Sequence, residues 1–308
     1  MNNSSSGDHD SFVGRRKFIA RSLQSAGALL AIPAISKATN SASGAGNYTV
    51  GQVMDLFIKE VPGGALPHTV DTLKAGSRDT TVTGIVTTMF ATIEVIRKAV
   101  DLGANFIIAH EPTFYNHMDD TSWLLKDDVY NYKATLLQRN NIAIWRNHDY
   151  IHSLVPDGVT TGVLEKLHWK KYAGDNVPTI VTLPGVSLKD LIANVKEKLA
   201  IEKVRYIGDP DQSCSRVLLM PGAAGGRSQV TAIVKVKPDV LVCGEIQEWE
   251  TAEYVRDARA KGDNISLVVL GHIASEAPGS EFMLNWLKEK IPSITSTHIS
   301  SGNSLSFL

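Results

Sequence analysis

This sequence is poor in the features that usually assign a function at sight, and each shortage excludes something. Only two cysteines occur in 308 residues, and neither has metal-ligand spacing. Cys243, inside "VLVC", reads as a buried small hydrophobe, and Cys214, after "DPDQS", as an exposed thiol; nothing in the sequence supports a disulfide between them. Charge of either sign is not in excess: 31 Lys and Arg stand against 32 Asp and Glu, a net −1 that argues against a basic nucleic-acid surface. No solenoid-type repeat is present. The glycine-rich "PGAAGGRS" lacks the Lys-Ser/Thr ending of a phosphate loop and reads as a tight turn. Near the N-terminus, the apolar stretch from Ala26 to Ile35 is too short for an ordinary membrane span, and Gly27 and Pro33 weaken it further.

What is present begins with a segmented N-terminus. Residues 1–38 run from a polar lead through Arg15 and Arg16 to Phe18 and Ile19, then the mild apolar stretch, then Ser36-Lys37-Ala38. This order of basic, apolar and small-residue regions resembles a twin-arginine export signal, the alternative being a disordered tail with a chance arginine pair. No Cys lies there to carry a lipid anchor. The expected location is the periplasm, reached after folding, which suits a chain that takes up metal before export. Residues 39–47 form a small, polar linker.

Hydrophobic residues make up 43% of the chain, and the remainder, 48–308, is long enough for one large core or two lobes. "TVGQVMDLFIKEV" and "TTMFATIEVIRKAVDLG" carry helical spacing, the second through Phe90, Ile93, Ile96 and Val100. "NFIIA" then changes period and reads as a strand. A middle segment, about 176–225, offers a strand in "PTIVTLPG" and a helix in "SLKDLIANVKEKLAI", with a Ser187/Asp190 capping box and a core stripe of Leu188, Leu191, Ile192, Val195 and Leu199. Strands alternating with long helices predict an α/β fold with parallel strands, whose sites form beyond the strands' carboxyl ends.

Those ends are where the polar residues sit. "FIIA" runs into His110 and Glu111; "IAIW" is followed by His148, Asp149 and His152; "ISLVVL" is followed by His272 and Glu276; "VLVC" is followed by Gly244 and Glu245. His110, Glu111, His152, His272 and Glu276 give three imidazoles and two carboxylates, a mixed set that suits zinc, manganese, iron or nickel better than calcium or magnesium. Five ligands exceed what one catalytic zinc uses and are enough for two ions roughly 3.5 to 4 Å apart if a carboxylate bridges. Taken separately, each of these residues would pass as a helix cap, a turn polar or a satisfied histidine; three strand ends together point to convergence on metal.

The blocks "GIVTTMFATIEVIRKAVDLGANFIIAHEPTFY", "AIWRNHDYIH", "PDVLVCGEIQEWE" and "VVLGHIASE" resemble the Nif-three-like dinuclear metal-centre family, whose bacterial members often carry the label GTP cyclohydrolase type 2. The resemblance covers nearly all of 48–308. It implies a two-lobed α/β protein with mixed or parallel sheets flanked by helices, a site for two divalent transition-metal ions in the cleft between lobes, and assembly into a homohexameric ring. It also implies that His148 lines the cleft and touches substrate and that Glu245 lines it or serves as general base, one or the other handling protons as the catalytic residue, against plain roles as a strand-end hydrogen bond and a turn carboxylate. His117, His168 and His298 have no such context and read as surface or packing residues.

Two departures stand out. The family's first block normally ends in two adjacent histidines and its second reads His-Thr-x-x-Asp; here Glu111 replaces the second His and His152 replaces the Asp. The exchange keeps three imidazoles and two carboxylates, so a dinuclear site with redistributed ligands is expected, His110 and Glu111 each turning toward a different ion. The rival is degeneration to one ion or none. The function expected is metal-assisted hydrolysis of an unidentified small molecule, a phosphoester or cyclic amide; the alternative is a non-enzymatic periplasmic metal-binding or scaffold ring. No nucleic acid and no membrane anchor after signal cleavage are expected.

Overall fold

A computed structural model describes residues 47–308 apart from 176 and 178. The export signal at 1–38 lies outside the described residues, as does the linker at 39–47 except Asn47. Ten strands are present among them: β1 Leu73–Ala75, β2 Ile85–Thr88, β3 Phe106–Ala109, β4 Ala143–Arg146, β5 Ile180–Ser187, β6 Arg205–Ile207, β7 Ser213–Met220, β8 Val240–Cys243, β9 Ser266–Val269 and β10 Ser296–His298. The α-helices are α1 Val50–Ile58, α2 Ile93–Asp101, α3 Asp128–Arg139, α4 Asp149–His152, α5 Gly158–Lys166, α6 Leu188–Leu199, α7 Gly226–Val236, α8 Glu253–Lys261 and α9 His272–Lys290.

The strands make two mixed sheets flanked by helices. The first has the order β1-β4-β3-β2-β10, all parallel except β1 against β4. In the second, β5-β7-β8-β9-β6, the central three are parallel and both edges antiparallel. Strands β2, β3, β4, β8 and β9 are buried at every position. Burial on both faces is why they read as unbroken apolar runs rather than as alternating ones.

The two faces go to different cores. From the first sheet, Ile85, Phe106, Ile108 and Trp145 join Val217, Leu219, Val240 and Val242 of the second in one cluster, with Val159 and Val163 of α5 and Met283 and Leu287 of α9. The alternate residues Val86, Ile107 and Ile144 pack on Val95, Ile96 and Ala99 of α2 and Leu137 of α3. Leu241, Cys243 and Leu267 pack on Ile233 of α7 and Val255 of α8. Each fully buried large side chain contributes about 1.5–3 kcal/mol relative to exposure.

Helices α5 and α9 approach so closely that a Cβ on Gly162 would lie 2.4 Å from the Pro278 carbonyl oxygen. That contact fixes α9, whose first two turns carry His272 and Glu276.

Three sequence expectations need correction. Cys214 is not exposed: it lies in β7 with no accessible surface, packed in the large central cluster, while Cys243 faces the other side of the same sheet. The two thiols are free, and burial raises their pKa values to about 11 and about 12. Phe90 precedes α2 rather than belonging to it, because Thr87 and Thr88 end β2 and Thr92 caps the helix through Val95 N. The Ser187/Asp190 box is half formed: Ser187 Oγ accepts from Asp190 N at 3.2 Å, but Asp190 accepts from the Ser187 hydroxyl rather than its backbone, since Ser187 also ends β5 opposite Ser213.

Candidate metal centre

Four strand ends deliver the polar residues to one place. His110 and Glu111 follow β3, His148 follows β4 with His152 one turn along α4, Glu245 follows β8, and His272 and Glu276 open α9 after β9. Two of these strands come from each sheet's central region, as expected for side chains that leave parallel strands at their carboxyl edge.

The geometry brings all five expected ligands together and adds His148. Ligand-capable atoms of His110, His148 and His152 lie within 4.8 Å of one another, and so do those of His110, Glu111 and Glu276. The rings of His110 and His148 stack at 4.9 Å, and His152 stands edge-on to both at 5.2 and 4.9 Å. His272 Nε2 is 3.0 Å from Glu276 Oε2 and 3.1 Å from Glu111 Oε1. Glu276 reaches toward the other set as well, 3.4 Å from His110 Nε2 and 3.9 Å from His152 Nε2. The His110 ring lies against His148 and His152 and the Glu111 carboxylate against His272, while both also approach Glu276.

Each imidazole is held by its other nitrogen. Nδ1 of His110 faces the Asn147 carbonyl at 3.2 Å, that of His148 faces Asp149 at 2.9 Å, that of His152 faces Asp157 at 2.8 Å and that of His272 faces Glu245 at 3.0 Å. A carbonyl or carboxylate only accepts, so each Nδ1 must donate, which leaves Nε2 as the atom presented inward. This is the orientation that metal-ligating histidines adopt. His110 Nε2 is buried and makes no hydrogen bond among the described residues, an orphan polar atom that a protein interior rarely tolerates without a ligand. The donor set fits a transition ion.

The electrostatics follow. Burial opposes the ionised form of Glu276 but is overcome by the nearby imidazoles of His110 and His272, the second hydrogen-bonded to it, so its carboxyl stays far below the usual range. Glu111 is lowered against the same burial cost, mainly by His272. Burial likewise disfavours a charged His272, yet Glu111 and Glu276 raise it to about 10. The space between those two carboxylates therefore demands positive charge, which an imidazolium or a bound cation supplies.

The sequence reading missed the residues behind this layer. Arg146 ends β4 with no exposed surface; it donates to the His117 carbonyl and lies 3.4 Å from Glu111 Oε2 and 3.7 Å from Asp119, which pairs with Lys74 at 3.2 Å. A charged residue closing an apolar strand run was the available signal. Asp149 and Asp157 follow the histidines they orient by one and five residues. Their proximity to His148 and His152 in sequence was the available signal, and Asp157 also caps α5 by accepting from Thr160 N. His117 packs its ring 6.0 Å from His148, closer to the cluster than expected, and His298 lies in β10 beside Thr87. His168 stays outside.

The fold and sequence both have relatives. The profile of Duf34/NIF3 (NGG1p interacting factor 3) matches residues 71–303. A Clostridium acetobutylicum protein named GTP cyclohydrolase 1 type 2 homolog is 27% identical over 217 residues, 67% of this chain and 76% of its own. The crystal structure of the Staphylococcus aureus hypothetical protein SA1388 aligns with TM-score 0.69 at 21% identity, covering 85% of this chain and 100% of that one. A Bacillus cereus protein related to NIF3 aligns with TM-score 0.65 at 18% identity, over 84% and 98%.

Proposed function

The chain belongs to the Duf34/NIF3 family, and from that premise and the geometry of the cluster we propose that it is an exported, metal-dependent hydrolase holding two divalent transition ions. The observation that carries this reading is the common orientation of four histidines, each with Nδ1 fixed by an oxygen and Nε2 turned toward two carboxylates. His110, His148 and His152 would hold one ion and Glu111 and His272 the other, with Glu276 near enough to both sets to bridge them. Zinc, manganese, iron and nickel all suit these donors. Bound there, such ions supply Lewis acidity and acidify water.

The chain's own residues do the rest. Asp149 and Asp157 keep His148 and His152 in the Nδ1–H tautomer. Glu245, with its side chain half exposed, holds the His272 Nδ1 proton and stands at the solvent side, where a carboxylate can receive a proton during turnover. Arg146 balances the charge of buried Glu111. The exchange of His for Glu111 and of Asp for His152 fits a retained site, because each new side chain has a partner of its own, Arg146 in one case and Asp157 in the other.

A cavity of about 750 Å³ lined in part by Glu111 favours an enzyme over a storage or scaffold ring, which needs no such space beside its ions. The substrate class proposed is a small phosphoester or cyclic amide. The name carried by the Clostridium relative suggests a purine ring, but an exported enzyme meets little GTP. Export itself is supported by the order of regions in residues 1–38. A homohexamer belongs to the same reading, and exposed Trp123, Leu125 and Val129 offer apolar surface for a subunit contact; light scattering at six chain masses is the expected result.

Elemental analysis of the protein purified without chelator, with hydrolysis assays on phosphoester, nucleotide and cyclic-amide panels, tests the reading. About two ions per chain and hydrolysis lost on chelation are expected. No bound metal, or one ion indifferent to His110→Ala, refutes the dinuclear centre.

A further inference from the structure

One buried charge next to the cluster is used neither by the ligands nor by their supports. Lys133 lies on α3, where it and Leu137, one helical turn later, are the two residues turned fully inward. An apolar side chain would be the ordinary occupant of such a position, since an ammonium taken out of water must recover its hydration from specific partners. Lys133 is 5% exposed, and among the described residues its Nζ has a single hydrogen-bond acceptor, the Thr113 carbonyl oxygen at 2.6 Å. The faces of Phe114 and Tyr115, 5.6 and 5.5 Å from Nζ, supply weaker attraction. An ammonium carries three donors, so two remain for something else. Asp119 is the nearby carboxylate that favours its charge, but Asp119 is already paired with Lys74 and Arg146.

The space beside that ammonium is the cavity of about 750 Å³. Phe90, Ile93, Pro112, Tyr115 and Ile273 supply its apolar wall, among polar neighbours that include His117. Phe90 stands edge-on to His272 at 6.3 Å, and Glu111 is shared between the cavity wall and the cluster, so one end of the space adjoins the proposed reaction centre. Lys133 is the only lysine or arginine among the described residues lining it. Glu111 is offset by Arg146 and His272, and Glu94 is exposed, which leaves Lys133, with His117 in the same wall, to set the charge preference within.

We propose that this cavity is the substrate pocket and that Lys133 is its anion anchor, selecting a flat, partly apolar small molecule with one acidic group, carboxylate or phosphate, and placing the other end against the histidine and glutamate cluster. The proposal rests on the functional reading above for the identity of the reaction centre, though the anchor itself needs no metal. Charge-assisted hydrogen bonds from a buried ammonium are stronger than neutral ones, so the anchor discriminates between an acid and its neutral isostere. With Nζ held near a pKa of about 8 by burial, the group is charged at neutral pH and gains from any anion that meets it.

The test uses the full-length chain after dialysis against chelator, so that a probe's acid group has no ion to bind. Benzoate, phenyl phosphate and benzamide are titrated calorimetrically into wild type and Lys133→Met, with thermal melts to confirm folding. Wild type is expected to bind at least one of the two acids about tenfold or more tightly than benzamide, the better acid identifying carboxylate or phosphate. Lys133→Met is expected to lose that preference and keep its benzamide affinity. Equal affinity for acids and amide in wild type overturns the proposal, and so does an unchanged preference in a folded Lys133→Met; if the variant does not fold, the wild-type comparison decides alone. Lys133-dependent acid binding in a chain that retains no metal as purified upholds the pocket and refutes the metal reading. Two ions per chain with no acid preference does the reverse.

Discussion

Gly222→Ala separates the cost of a strained backbone from the cost of disturbing the cluster. Gly222 sits in the turn after β7 at φ +72°, and a Cβ there would fall 2.1 Å from Glu276 Oε1 and 2.6 Å from its Cδ. Gly63 has a similar φ of +86°, with nothing within 4 Å of the point a methyl group would occupy, so Gly63→Ala reports the backbone cost by itself. That cost is about 1 kcal/mol for a left-handed non-glycine residue. At Gly222, recovering ordinary van der Waals separation moves the carboxylate by about 1 Å. The 3.0 Å contact from His272 Nε2 to Glu276 is then stretched, and a hydrogen bond to a charged group contributes about 1.5–3 kcal/mol. Gly222→Ala is therefore expected to lose about 3 kcal/mol against about 1 kcal/mol for Gly63→Ala. Urea unfolding in chelator gives the stabilities, and ion titration of the folded variants gives the second readout. Metal affinity should drop about tenfold or more in Gly222→Ala alone, as for other perturbations that disorient a ligand. Equal losses of stability in the two variants, or unchanged metal affinity in Gly222→Ala, would mean that Glu276 does not occupy the position on which the centre depends.

Four further outcomes are expected. Glu111→His or His152→Asp alone should weaken at least one metal site, while the double variant should recover about two ions per chain; strictly additive effects in titration would show that the two residues do not share a site. Asp157→Asn keeps an oxygen for Thr160 N but withdraws the acceptor from His152 Nδ1, so metal affinity should fall about 10- to 100-fold with little change in the melting temperature. For Lys133, the folded pKa of about 8 lies below the unfolded 10.5, so the unfolded chain binds more protons between them and stability rises with pH across that window. The gain approaches about 3 kcal/mol by pH 10.5 and should be absent in Lys133→Met, compared by urea titration at each pH. Finally, replacing Arg15 and Arg16 by Lys together should leave the precursor in the cytoplasm, and unchanged periplasmic recovery on fractionation would count against a twin-arginine route.

The sequence by itself determined where the polar chemistry leaves the fold. Strands such as β3, β4 and β9 are buried on both faces, so each appears as a short apolar run, and the residue at which that run stops marks the carboxyl edge of a parallel sheet. His110, His148 and His272 were legible for that reason, as was Glu276, one helical turn beyond His272. Helices with strong local spacing, α1 and α6, were equally plain, whereas β2 was not read as a strand and its last residues, Thr87 and Thr88, fell inside the helical reading, because Ile85 to Thr88 are too few to establish a period. Tertiary structure alone decided the partnerships. Arg146 meets Glu111 across 35 residues of chain, Lys133 meets the Thr113 carbonyl across 20, and Gly222 yields its backbone N–H to Ser275 Oγ across 53. Even Asp149 and Asp157, close in sequence to their histidines, became orienting groups only when α4 turned Nδ1 toward them. Such pairings depend on distances and donor directions fixed by the packing of two sheets and α9, and hydrogen bonding is too directional for composition or spacing to specify it.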